Sequence, residues 1–372
     1  MTGSSDASFL PVFDVCARGA DPTGATDSTQ AVAATVAAIN ALAPGSACGF
    51  PYGTYELSQG PVRLTAPVRL VGIGAGGGWP NAGSRLFSTG TDAMFATSEA
   101  GFNGLSVEGI SFESRGGGDI FAVGALFRSG FRDCYFTLSA EAGCAFRTSG
   151  AITFNNSQFR DCYFISRAPV RSDSMINLQT TTGGGLANLT WDGCMFQNTG
   201  KDATQYLVQI ACTGQNNGHY QNCFRNCNFR FAFGGAVKSI SGLNLSVEQC
   251  STWDIFAGQG AEVAASTYYV GQSAAGKPSQ GSRFVGITRN LDGPDGTSTW
   301  DVEIEETTQQ TLIESCSVKN SGAVTTNHFY VNANSCADLT LMANQWPGPA
   351  NGQSSTVVTN PSPRQFAFPP TF

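Results

Sequence analysis

The sequence predicts an all-β protein, a right-handed parallel β-helix closed at its N-terminal end by one short helix. Three observations carry this prediction. A six-residue core recurs along the chain, with cysteine at its fourth position in six copies, as in a solenoid of stacked coils. Glycine accounts for 45 of 372 residues and phenylalanine for 26, a mixture suited to short strands joined by many turns. Charged residues make up only 13%, about half the usual share, which excludes a long helical protein or a coiled coil.

The first 75 residues set the opening. A short apolar strand over Phe9–Val15 runs into a Gly- and Pro-marked loop from Arg18 to Thr29. Asp27 reads as a helix N-cap with Gln30 three residues on, in the manner of a capping box. Residues 29–42 are Ala-rich, and Val32, Val36 and Ile39 form one apolar stripe, so this run is an amphipathic helix. Pro44 and Gly45 end it. Three short alternating strands follow, around Cys48–Leu57, Val62–Leu64 and Val68–Gly74.

The repeat then takes over. Its cores run Val107–Phe112, Phe131–Phe136, Phe159–Phe164, Trp191–Phe196, Phe224–Phe229, Val247–Thr252 and Ile313–Val318. The fourth position holds Ile110, Cys134, Cys162, Cys194, Cys227, Cys250 and Cys316, with gaps of 24, 28, 32, 33, 23 and 66 residues. The last gap fits two units, and Phe284–Ile287 supplies the missing rung. Positions one, four and six are apolar and point inward, so the cysteines are packing residues with free thiols. Position three, Asp133, Asp161 or Asn226, falls at a corner, where Asx residues tolerate a left-handed conformation.

The segment from Phe13 to Gly74 resembles the opening of the pectate-lyase-like β-helix family. The family pattern Gly-Ala-x-x-x-Gly-x-x-Asp-x-Thr is matched by Gly19-Ala20, Gly24, Asp27 and Thr29. Its Phe-Pro-x-Gly-x-Tyr strand is matched by Phe50-Pro51-Tyr52-Gly53-Thr54-Tyr55, and its Gly-x-Gly strand end by Gly72-Ile73-Gly74. The resemblance is tight over about 60 residues and specific for fold rather than activity. The same opening is found in phage tailspikes, homotrimeric depolymerases that bind and cut host surface polysaccharide, and in some secreted polygalacturonase-like enzymes. The thiol-rich core and missing secretion signal look more like the phage branch. This resemblance implies a virion tail protein assembled in the bacterial host cytoplasm.

Three segments are expected: an N-terminal attachment peptide (1–12), the β-helix (13–343) and an extended C-terminal tail (344–372). The first would meet an adaptor or another tail protein; the last would pack on neighbouring subunits through Phe366, Phe368 and Phe372. Met1–Leu10 lacks the basic and apolar regions of a secretory signal. A net charge of −7 argues against a nucleic-acid surface, and no apolar run reaches the roughly 20 residues of a membrane span.

Glycoside hydrolysis needs two carboxylates, about 5–5.5 Å apart for retention and about 6.5–9.5 Å for inversion. The densest acidic strand runs from Trp300 to Glu306. With Val302 and Ile304 inward, Asp301, Glu303 and Glu305 would stand side by side outside, and crowding would raise one pKa. Trp300 would stack on a sugar. Asp254 beside Trp253 is a second catalytic candidate. Arg283 and Arg289, near the acidic strand in sequence, are candidates for substrate binding and for a lyase's base.

Other signals are weaker. His219, Cys223 and Cys227 lack a fourth zinc ligand at the right spacing, and the loop at Asp292 and Asp295 lacks the ligand count of a calcium site. Neither a metal nor a cofactor is expected. Three functions follow: a hydrolysing tailspike, a non-enzymatic receptor-binding spike, and a structural virion protein.

Overall fold

The computed structural model describes residues 12–74, 83–148, 150, 152–181, 185–199, 205–214, 218–232, 235–255, 266–273, 276–291, 300–304, 309–320, 329–332, 339–342, 356–359 and 365–368. These residues form a right-handed parallel β-helix with one α-helix at its N-terminal end. Four sheets run along its length, of 13, 10, 11 and 6 strands among the described residues, here sheets A, B, C and D in the order the chain visits them. One coil illustrates the pattern: Gly130–Arg132 in sheet A, Tyr135–Leu138 in B, Phe146–Thr148 in C and Thr153–Asn155 in D. Each strand pairs in parallel with its counterpart one coil later, as Phe131 does with Phe159 and Phe136 with Phe164.

Because register holds from coil to coil, like side chains stack. In sheet A the inward column runs Leu70, Val107, Phe131, Phe159, Trp191, Phe224, Val247, Phe284, Ile313. Trp191 lies 5.3 Å from Phe159 and 4.5 Å from Phe224, ring parallel to ring. Sheet B contributes Phe112, Phe136, Phe164, Phe196 and Phe229, spaced 4.8–5.3 Å. Each such buried side chain contributes roughly 1.5–3 kcal/mol of transfer free energy, and the ladder places nearly all of them in mutual contact.

The predicted cysteine column is present, with free thiols at every described cysteine. Each ladder thiol donates to a carbonyl of the preceding coil: Cys227 Sγ is 3.4 Å from Trp191 O, and Cys162 Sγ is 3.5 Å from Phe131 O. Phe284 and Ile287 fill the missing rung, both buried. The corner residues are left-handed as expected, with φ of 51° at Asp133, 52° at Asp161 and 53° at Asn226. A second left-handed column, Asn156, Asn188, Gln221 and Asn244, turns the chain from sheet D back to sheet A.

The capping helix spans Thr29–Leu42 and buries Val32, Val36 and Ile39 over the first coil. Ser28, not Asp27, flanks it and makes no side-chain cap. Asp27 acts from one position further out: Oδ1 accepts the Thr29 N–H at 2.9 Å, and Oδ2 accepts the Ser58 N–H at 2.7 Å. One carboxylate thus satisfies a free helical donor and ties the cap to the first coil. The preceding loop closes on Asp21, whose carboxyl is held well below its ordinary pKa by hydrogen bonds from Thr23 and Thr26.

At the other end of the chain, strand Phe329–Asn332 pairs with Thr356–Thr359, and Leu339–Met342 pairs with Gln365–Phe368. Among the described residues no helix is long and apolar enough to cross a membrane.

Candidate functional site

The acidic strand folds as Trp300–Ile304 in sheet C, and Val302 and Ile304 point inward as expected. Asp301 does not join Glu303 outside, which corrects the predicted row of carboxylates. The register of Ser266 with Trp300 and Tyr268 with Val302 sets Asp301 opposite Thr267. That position belongs to an inward column, filled in earlier coils by Met94, Ile120, Ala145, Met175, Leu207 and Ala236, all buried. Two consecutive residues face inward here because the chain bends from a corner into the strand. Strict alternation begins only at Val302.

Arg289 is corrected with it. Its strand, Thr288–Leu291, puts it in register with Thr252, in the column that runs through Phe112 and Phe229. It therefore points into the coil, where Nη1 donates to Asp301 Oδ2 at 2.9 Å. The candidate acid and the candidate substrate-binding arginine hold each other in the core. Arg283 faces the other way, exposed on sheet A between Ser246 and Leu312, on a different sheet from Glu303.

Glu303 does lie on the outer face of sheet C, in register with Tyr269. Tyr269, Lys238 and Tyr206 surround that position. The Lys238 ammonium is 5.4 Å from the Tyr269 ring centre and 6.0 Å from that of Tyr206. Tyr206 shares a hydrogen bond of 2.7 Å with Ser266. Burial, together with the Glu303 charge, pushes its phenol up. Trp253 is half-buried, with the Arg230 guanidinium 5.8 Å from its ring. Glu305 lies outside the described residues, as do the side chains of Asp254 and Trp300.

A different place combines a cavity, aromatic rings and carboxylates. At the corner between sheets A and B, a groove of about 650 Å³ is lined by Gly72, Gly74, Glu108, Gly109, Asp133, Cys134, Tyr135, Asp161 and Tyr163. Tyr135 and Tyr163 occupy the same outward position in successive coils, and their rings stack at 5.1 Å and 13°. Tyr163 is 41% exposed, one of the few large apolar surfaces left open to solvent. Asp133 and Asp161 are the left-handed corner residues of the same two coils. Arg132 is ion-paired with Glu108 and lies 3.6 Å from Asp133 Oδ2. Asp161 leans toward the next coil, where a β-carbon on Gly193 would meet its Oδ1 at 2.5 Å.

Sequence reasoning read Asp133 and Asp161 correctly as corner residues and for that reason set them aside. The signal it passed over is the pair of repeats Phe131–Phe136 and Phe159–Phe164. Both read Phe-Arg-Asp-Cys-Tyr-Phe, the only two cores with tyrosine directly after the cysteine. Identical neighbouring rungs put two acids and two outward rings in line, Tyr163 exposed and Tyr135 half-buried. Among the described residues, no group of three or more His, Cys, Asp or Glu side chains is placed to hold a metal ion.

Neither a protein-family model nor a curated protein matches the chain. Solved structures do match. A Geobacillus virus E2 protein, ORF18, superposes with a TM-score of 0.61 at 15% identity, covering 91% of this chain and 62% of that one. A tailspike protein of E. coli bacteriophage HK620, solved in complex with a pentasaccharide, gives 0.64 at 12% identity, covering 96% and 66%. The Streptococcus pneumoniae surface protein and adhesin PfbA gives 0.55 at 12% identity, covering 96% and 100%. The chain thus spans 62% and 66% of the lengths of the two viral proteins. Identities this low speak for the fold alone: the protein is a right-handed parallel β-helix, with a phage tailspike, a Geobacillus virus protein and a bacterial adhesin among its structural neighbours.

Proposed function

We propose that this protein is a tailspike-type protein that binds a host cell-surface polysaccharide and hydrolyses it. The observation that carries the proposal is the groove itself: two stacked, solvent-facing tyrosines beside two corner carboxylates in consecutive coils. Rigid aromatic surface with convergent polar groups is the usual make-up of a small-ligand site. The tailspike neighbour solved with a pentasaccharide lends the reading its ligand class.

Equivalent backbone positions in adjacent coils are about 4.8 Å apart, which puts the two carboxyls in the range of a glycosidase pair, roughly 5–9.5 Å. In this reading one of Asp133 and Asp161 protonates the glycosidic oxygen as it leaves. The other attacks the anomeric carbon, and water then hydrolyses the glycosyl ester, returning both groups to their starting state. Tyr163 holds a ring of the chain in place. Glu303, with Tyr269 and Lys238 beside it, is a further contact for the same polymer on sheet C. The protein acts at a virion tail as a homotrimer, attached to an adaptor through residues 1–12.

A non-enzymatic receptor-binding spike is the second reading, and one observation favours it. The corner that holds Asp133 and Asp161 is filled in other coils by Asn226, Gln249 and Ser315, all left-handed. Corner geometry alone therefore accounts for these two acids. Mass spectrometry of a panel of bacterial surface polysaccharides after incubation separates the readings. Fragments carrying one added water, lost in Asp133→Asn or Asp161→Asn, support hydrolysis in the groove. Fragments that persist in both variants move the chemistry elsewhere, Glu303→Gln being the next to assay. Binding without fragments supports the receptor reading.

A further inference from the structure

We infer that the groove takes an electrically neutral stretch of pyranose rings and discriminates against acidic glycans. This deepens the glycan-binding reading and rests on it.

Space comes first. The corner that carries Asp133 and Asp161 in two successive coils is Gly109 in the coil before them, and the groove continues over Gly72 and Gly74. No side chain projects from these three; among the described residues nothing stands within 4 Å of where a β-carbon of Gly74 would be, whereas one on Gly72 would press on Gly109 O at 2.4 Å. The tyrosine column steps down in the same place: Ser111 precedes Tyr135 at the same outward position. Among the described residues, the Tyr135 ring is stacked on one side only, by Tyr163. Its other face is turned toward Ser111, the smaller residue at the same position one coil earlier. A sugar ring standing there packs its apolar C–H face on Tyr135, while its hydroxyls reach the corner acids.

Charge sets the class of ligand. Among the described residues, Glu108, Asp133 and Asp161 line the groove, and neither lysine nor arginine does. Arg132, next to Asp133 in sequence, is engaged by Glu108 and Asp133. Carboxylates are strong acceptors for hydroxyl or ammonium donors. A uronate, sialate or phosphate placed within about 5 Å of them meets salt-dependent repulsion, on the order of tenfold weaker binding per acidic group at low salt. An acidic polymer would need a cationic clamp that these walls lack.

The test compares one polymer in two charge states. Oligosaccharides of polygalacturonate and of an acidic bacterial capsule are prepared as such and after carboxyl reduction. Each is titrated calorimetrically against the full chain at 20 and 300 mM salt, beside a panel of neutral bacterial O-polysaccharide fragments. The expected result is binding of neutral forms at least tenfold tighter than of their acidic counterparts. That ratio should shrink at high salt and approach one in the Asp133→Asn/Asp161→Asn double variant. Acidic forms binding as tightly as reduced ones overturns the charge inference and leaves glycan binding standing. A preference that survives Tyr135→Ala and Tyr163→Ala, with the fold verified by circular dichroism, overturns the groove as its source. Binding to no member of either set overturns glycan binding in the groove altogether.

Discussion

Arg289 and Asp301 form an ion pair of 2.9 Å inside the β-helix, with side-chain exposures of 6% and 3%. They stand in the columns that Phe229 and Ala236 occupy in earlier coils, so charge replaces the apolar ladder where the aromatic stack of sheet B ends. A pair so placed gains Coulomb energy but loses the hydration of both ions. Its presence fixes which strand of sheet B lies over which strand of sheet C.

Breaking this pair from one side leaves a buried charge. Asp301→Ala is expected to destabilise the protein by about 3–5 kcal/mol, whereas Arg289→Met combined with Asp301→Leu recovers most of that loss. Urea unfolding of the three proteins checks it. Additive losses in the double variant would show that the two side chains do not depend on each other.

His219 carries a pH prediction. Its ring is fully buried; Nδ1 accepts from Asn222 Nδ2 at 2.9 Å, so Nε2–H donates to Ser239 Oγ at 3.0 Å. Burial lowers its pKa from 6.5 to about 3. The folded state thus binds this proton less readily than the unfolded chain. The stability contribution is complete above pH 6.5 and is lost as pH falls toward 3, on the order of a few kcal/mol in total. His219→Gln should flatten the stability profile between pH 6.5 and 4 relative to the parent. An unchanged slope would assign acid sensitivity to other groups.

Four thiols of the cysteine ladder should be chemically silent. Burial pushes the thiols of Cys134, Cys162 and Cys227 well up, and that of Cys316 to about 12. At pH 8 in the native state a thiol reagent is expected to leave these four unmodified, with all reacting after denaturation. Reductant should leave the melting temperature unchanged. A shift with reductant would reveal a disulfide.

Gly72 is needed for close approach at the groove floor. A β-carbon there would lie 2.4 Å from Gly109 O and 2.8 Å from Ile110. Gly72→Ala is expected to cost roughly 1–3 kcal/mol through overpacking and to lower glycan affinity by distorting the floor. Gly74→Ala meets no described atom within 4 Å but sits at φ 82°, a left-handed conformation, so its cost of about 1 kcal/mol would come from backbone strain alone. A loss at Gly72 no larger than at Gly74 would mean that close contact is not what Gly72 supplies.

The sequence alone determined the parts that depend on local pattern and on repetition. Position-specific stacking, the Cys134–Cys316 ladder, the corner role of Asp133 and Asp161, and the helix over residues 29–42 all follow from spacing, because each coil repeats the same environment. Even the rung at Phe284–Ile287 could be placed from an interval. The tertiary structure decided which residues share a surface. Strand alternation put Asp301 outside, but the bend into its strand turns two successive side chains inward, and only the closed coil shows where that bend falls. Arg289 and Asp301, twelve residues apart and on different sheets, meet because the interior is narrow enough for one to span it. The groove depends on a step in side-chain size between neighbouring coils, from Gly109 and Ser111 to Asp133 and Tyr135. That step is written in the residues but becomes a cavity only when the coils are stacked.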